Sequence, residues 1–264
     1  MKRLGKIAGR VPAGWYVTRT ALTFALFVIS TLLLTSSHSN GEQGPSLFED
    51  FNSLSGWEDF YFPKIKEHTL YSLAEEGGVT FLLANSSASA SAFMLKREID
   101  VYQTPHIRWR WKVDNVYKNG DLRTKAGDDS PLRIYVMFRY APERATTGMK
   151  LKYGIAKALY GKYPPHASLN YIWASKEPVG TVMENAYTDR SRMIVMRSGA
   201  SETGRWVEQE ANIVEDYRKV FGEDPPAWAR IAVMNDSDNT GESALSYIDY
   251  LEISSPPVSN ASGK

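Results

Sequence analysis

The chain reads as an all-β protein, a two-layer β-sandwich of jelly-roll type, lectin-like or galactose-binding-like, with a short basic helical insertion. Three observations carry that expectation. The segment His106-Ile-Arg-Trp-Arg-Trp-Lys-Val113 alternates strictly, with Ile107, Trp109, Trp111 and Val113 on one side and Arg108, Arg110 and Lys112 on the other. Strand side chains alternate with period two, so this is a strand with one buried face. Short apolar segments separated by turn residues recur along the chain, a series that belongs to sandwiches and jelly rolls. The 13 prolines, 19 glycines and 12% aromatic residues suit many turns and bulky core side chains.

The first 39 residues stand apart. Lys2, Arg3, Lys6 and Arg10 form a basic head, residues 20–34 are apolar apart from hydroxyl side chains, and a polar stretch follows over 35–44. That order describes a secretory signal, with an uncleaved N-terminal anchor in the inner membrane as the alternative. The apolar run is short for a span, which needs about 20 residues. The expected address is therefore periplasmic or secreted, and any membrane contact runs through this segment. Removing residues 1–39 leaves 26 basic against 30 acidic residues, a net charge of −4, which disfavours nucleic acid as a partner. The chain has no cysteine; this excludes disulfides, thiolate metal sites and cysteine nucleophiles.

One domain is expected over 46–255. Residues 47–51 open it, and 69–74 and 79–84 flank Glu75-Glu-Gly-Gly78, a hairpin signal. Further strands are expected at 90–99, 107–113, 132–140, 169–174, 192–197, 206–214, 229–234 and 245–253. An insertion over 142–164 holds a helix capped near Thr147 and ended by Gly161, with Met149, Tyr153, Ala156, Leu159 and Tyr160 along one face. Its other face carries Lys150, Lys152 and Lys157: either a solvated side or a contact for anionic lipid or an acidic polymer. A second helix at 214–221 ends at Gly222, and residues 256–264 form a loose tail.

Four groups bear on function. Asp128 and Asp129, between Lys125 and Arg133, read first as turn residues and second as a cation or acid/base site. Asp236 and Asp238 match half of a calcium loop, but its closing position holds Tyr247, so an Asx-rich hairpin or a non-helical cation site remains. Glu49 and Asp249 sit in terminal strands that a jelly roll brings together, which suggests a structural Ca²⁺. Last, Arg108, Arg110 and Lys112, with Arg133, Tyr135 and Arg139 and with Tyr171 and Trp173, would line a sheet face fit for sugar hydroxyls, carboxylates and pyranose rings. An ordinary charged outer face is the competing reading. The four histidines lack metal-ligand spacing, and no nucleophile elbow, phosphate loop or dinucleotide motif occurs.

Lys125-Ala-Gly-Asp-Asp ahead of Arg133-Ile-Tyr-Val resembles the bacterial exported domain-of-unknown-function family 3047. So do Leu169-Asn-Tyr-Ile-Trp-Ala-Ser175, Arg192-Met-Ile-Val-Met-Arg-Ser-Gly199, Trp206, Glu215-Asp-Tyr-Arg-Lys-Val-Phe-Gly222 and Asn235-Asp-Ser-Asp-Asn-Thr240. The resemblance spans about residues 48–253. It implies a lectin-like or galactose-binding-like jelly roll and an exported address, and assigns no activity or site.

The expected function is non-catalytic binding of a glycan or other polyhydroxylated, anionic polymer in the cell envelope. Arg108, Arg110, Arg133, Tyr135 and Arg139 would contact it, with Asp128 and Asp129 at the rim. The alternatives are a glycoside hydrolase or polysaccharide lyase using Asp128 or Asp129 with a second acid or Tyr135, or a structural envelope protein. No cofactor beyond a structural Ca²⁺ is expected.

Overall fold

The computed structural model describes residues 47–256; the expected signal or anchor over 1–39, and residues 257–264 of the tail, lie outside them. Fourteen strands form two sheets. One, six-stranded, runs in the order β12 (Val207–Asn212), β7 (His106–Val113), β14 (Ser243–Ser254), β4 (Val79–Ser87), β3 (Leu70–Glu76), with β1 (Leu47–Glu49) also on β14. The other, eight-stranded, runs β10 (Val182–Asn185), β11 (Thr188–Ser198), β9 (Ala167–Ala174), β8 (Leu132–Phe138), β13 (Trp228–Asp236), β5 (Ala90–Leu95), β2 (Trp57–Phe60), with β6 (Ile99–Asp100) also on β13. This is the expected jelly-roll sandwich. Three short strands, β2, β6 and β10, carry no period long enough to show in the sequence.

Alternation builds the core. Ile107, Trp109, Trp111 and Val113 are fully buried, as are Leu132, Ile134, Val136 and Phe138 from β8. Across the layers Trp109 meets Tyr171 at 5.4 Å and Trp111 meets Trp173 at 5.7 Å, while the two tryptophans of β7 pack edge to face at 5.4 Å. Such aromatic pairs add about 0.5–1.5 kcal/mol to their area burial. Tyr171 and Trp173 are thus core residues, not a sugar platform, because β9 turns that side inward.

Local chemistry sets the connections. Gly77 and Gly78 link β3 to β4 with φ of 62° and 82°, a pair of left-handed positions that only a residue without Cβ adopts cheaply. The insertion contains α1 (Thr147–Tyr160): Thr146 accepts the Met149 N–H, one residue earlier than expected, and Gly161 closes it at φ 77°. Of its expected packing face only Tyr153 is buried, whereas Leu159 and Tyr160 are exposed. Helix α2 (Ile213–Phe221), capped by Asn212 and stopped by Gly222, buries Ile213, Val214 and Tyr217, with Tyr217 against Phe138 at 4.6 Å. Strand β3 is a sheet edge with Leu70 and Leu73 exposed beside Glu75 and Glu76.

Replacing Trp111 by Ala removes a seam contact from both layers and should cost about 3–5 kcal/mol in urea unfolding. Leu70→Ala, at an exposed edge position, should stay within about 0.5 kcal/mol of the parent.

Candidate functional site

The two basic strands expected to share one surface belong to different layers. β7 lies in the six-stranded sheet and β8 in the eight-stranded one, so Arg108 and Arg110 face outward on one side of the molecule and Arg133, Tyr135 and Arg139 on the other. No single ligand surface unites them. The cationic side of β7 is also neutralised by its neighbours. Register sets Arg108 opposite Glu210 and Glu252, and Arg110 opposite Glu208. Arg108 pairs with Glu252 at 2.6 Å, Arg110 with Asp249 at 2.8 Å and Lys112 with Glu76 at 3.7 Å. Lys112 also sits 4.3–5.9 Å from the Tyr247, Trp206 and Phe81 rings. This is a mixed-charge outer face, the competing reading of the sequence. At the far end of β8, Arg139 pairs with Glu98 at 3.1 Å over the Trp228 ring.

The terminal strands do lie together, β1 beside β14 with Glu49 opposite Leu251. Yet each carboxylate has a protein partner. Glu49 accepts the Phe51 N–H and the Trp57 indole N–H at 2.9 Å, and Asp249 accepts Arg110. The Glu49–Asp249 cation site is therefore not supported; amide and indole donors serve both Glu49 oxygens, and the Arg110 guanidinium serves Asp249 Oδ2.

The outer face of the eight-stranded sheet carries the polar concentration. Arg133, 1% exposed, is clamped by two acids. Its Nε and Nη2 donate to Asp236 at 2.9 and 2.8 Å, and its Nη1 donates to Asp128 at 3.2 Å. Register explains the geometry, since Arg133 faces Met234 on β13 and Asp236 follows on the same side. The Ser130 N–H also donates to Asp236; burial pushes the pKa of this carboxyl well up, and Arg133 and the Ser130 amide oppose that rise. Burial alone would lower the Arg133 pKa, but Asp236 and Asp128 outweigh it and hold the guanidinium well above its ordinary range.

Asp128 and Asp129 are consequently not rim residues; both are buried. Asp128 also accepts Asn185 Nδ2 at 2.6 Å, and Asp129 accepts the Asn239 and Thr240 N–H groups. The loop before β8 is so tied to the loop after β13. Gly127 opens that turn because a Cβ there would come within 2.6 Å of the Asp121 nitrogen. Tyr135, beside Arg133 on the outer side of β8, is half-buried; burial raises its phenol to about 12, so it remains a hydrogen-bond donor at neutral pH.

Carboxylate oxygens of Asp129, Asp236 and Asp238 come within 4.8 Å of one another. Arg133 already supplies the compensating cation to Asp236, and backbone amides serve Asp129. Asp238 differs: it is half-buried, and burial, then Asp129, raises its pKa. One residue on, Asn239 Nδ2 donates to the Tyr187 hydroxyl, which in turn donates to the Lys125 carbonyl. Asn185 Oδ1 accepts the Tyr187 N–H, and Lys125 Nζ lies 5.3 Å from the ring. Tyr187 is thereby held in place while the residue stays 56% exposed. A lone tyrosine in the tight turn between β10 and β11 gives no periodic signal, so sequence reasoning missed it. Its only cue was an aromatic flanked by Asn185 and Asp189.

Two outcomes follow. Arg133→Ala leaves two buried carboxylates uncompensated and should cost about 3–5 kcal/mol in denaturant titrations. A raised folded-state carboxylate stabilises the fold below its ordinary pKa and ceases to as pH rises. Asp238→Asn should therefore raise the melting temperature at pH 7, and the gain should disappear as pH falls below about 4.

Among solved structures the chain is similar to the family 11 carbohydrate-binding module of a cellulosomal cellulase from Clostridium thermocellum, at 8% identity and TM-score 0.40, covering 81% of this chain and 96% of that one. It is similar to lectin II from Ulex europaeus at 10% identity and TM-score 0.40, covering 81% and 100%. A winged bean acidic lectin complexed with methyl-α-D-galactose aligns at 10% identity and TM-score 0.36, covering 81% and 99%. No curated protein matches the chain. The family described as protein of unknown function (DUF3047) matches residues 55–252, and the chain belongs to that family.

Proposed function

We propose that the protein binds a glycan of the cell envelope without cleaving it, at the patch formed by Tyr187, Asp238, Asn239 and Lys125 over the Arg133 clamp. The observation that carries this reading is an exposed aromatic ring fixed by its own polar edge. The Tyr187 hydroxyl and amide are tied to Asn239, Lys125 and Asn185, so the ring is oriented before any ligand arrives and little freedom is lost on binding. A pyranose offers an apolar face for that ring and hydroxyls for the Asp238 carboxylate, the Asn239 amide and the Lys125 ammonium. Of the residues expected to contact ligand, Arg133 and Asp128 act here by positioning.

The hydrolase or lyase reading draws on the convergence of Asp129, Asp236 and Asp238 and on the raised pKa of Asp238. Glycoside cleavage needs two carboxyl groups reaching one sugar. Asp129 and Asp236 are buried and engaged, which leaves Asp238 alone at the surface and ranks binding first.

A glycan-array screen with turnover assayed on every hit tests both readings. Binding without product is expected, and Tyr187→Ala should weaken the best hit at least about tenfold, given the usual contribution of a central aromatic anchor, with the melting temperature unchanged. Failure to bind any glycan, or unaltered affinity in the variant, would refute the assignment; released product would promote Asp238 to a catalytic acid.

A further inference from the structure

Helix α1 has more apolar surface than its seat on the sandwich uses. Tyr153 turns inward, packs against Tyr140 with ring centroids 5.1 Å apart at a tilt of 50°, and donates to the Pro165 carbonyl at 2.8 Å. Leu151, Ile155 and Leu159, spaced by four, form a separate stripe that is 68, 55 and 70% exposed. Residues four apart share a helix face, so this is one contiguous apolar strip in water, the kind of surface that marks a contact. The segment around it is wholly basic, with Arg144, Lys150, Lys152, Lys157 and Lys162 and no acid from residue 144 to 176.

At the N-terminus of α1 lies a cleft of about 350 Å³ lined by Arg144, Lys152, Arg190 and His166, with Thr146 and Gly148 from the helix start. Asp189 and Glu223 also line it, the latter paired with Arg190 at 3.2 Å. The first turn holds no acid, so no side chain of the helix itself offsets the positive end of its dipole at the cleft. His166 is 2% exposed and its Nδ1 has no partner. The occupant must therefore be apolar on one side and anionic on the other. A soluble acidic polymer satisfies the lysines but not the leucines.

We propose that α1 lies in the interface of an anionic lipid surface, Leu151, Ile155 and Leu159 dipping below the head groups and a head-group phosphate beside the cleft at its N-terminus. Among the described residues no helix is long and apolar enough to cross a membrane, so the contact is peripheral. It is independent of the glycan patch.

The chain contains no cysteine, so Ile155→Cys carries a single environment-sensitive dye, with Ser72→Cys on exposed β3 as the control. The local label separates α1 from any binding by the N-terminal segment. Phosphatidylglycerol vesicles should shift the emission of the dye at 155 to the blue, phosphatidylcholine vesicles should not, and the label at 72 should stay unchanged. Each lysine near an anionic leaflet contributes about fivefold, so Lys150→Gln, Lys152→Gln and Lys157→Gln together should weaken the response about a hundredfold. Lys152→Glu alone, at the cleft, should reduce it about tenfold or more. No shift on phosphatidylglycerol, an equal shift on both lipids, a shift that survives the triple variant, or a shift with a soluble acidic polysaccharide but none with vesicles would each overturn the proposal.

Discussion

The aromatic seam between the layers is the constraint on which the rest depends. Trp109 and Trp111 cross from β7 to meet Tyr171 and Trp173 of β9, and that contact fixes which side of each strand faces inward. A one-residue slip in β7 would put two tryptophans in water and turn Arg108, Arg110 and Lys112 into the core. Once the seam is set, the outward side of every neighbouring strand follows, including the side of β8 on which Arg133 stands and the side of β13 that ends in Asp236.

The Arg133 clamp is the second level of organisation. A buried ion pair is a poor source of stability compared with apolar packing, because desolvating both partners offsets most of their attraction. What it supplies here is position. Asp128, in the loop before β8, and Asp236, at the end of β13, are more than a hundred residues apart, and one planar guanidinium with donors in a fixed fork brings them together. Asp129 then holds the Asn239 and Thr240 amides, and Asn239 holds Tyr187. Order thus passes from the sheet through a buried arginine to an exposed ring. The raised pKa of Asp238 fits a surface kept at some expense to folding, as functional carboxylates often are.

Much of this was legible in residue order, and the rest was not, for definite reasons. Alternation in 106–113 showed which residues are core, and Gly161 and Gly222 marked both helix ends, because those signals are local. Alternation says inside or outside but not which layer, so β7 and β8 were read as one face although they belong to opposite sheets. The expectation of free cations on β7 failed because Glu208, Glu210 and Glu252 arrive from strands distant in sequence. Asp128, Asp129, Asp236 and Asp238 stand out in the sequence as two acidic turns, yet the meeting of Asp128 and Asp236 on Arg133 depends on the β8–β13 register. Helix α1 was read with one apolar face. Its true packing contact is little more than Tyr153, and Leu159 and Tyr160, expected on the same face, are exposed.

Strand β3 shows how the fold guards its own boundary. It closes the six-stranded sheet with one row of backbone donors and acceptors unpaired, and with Leu70 and Leu73 in water. Such an edge invites a strand from another molecule. Glu75 and Glu76 crowd its last two positions, so an incoming copy would have to bury like charges against its own. Pairing between the β3 edges of two copies is thereby disfavoured.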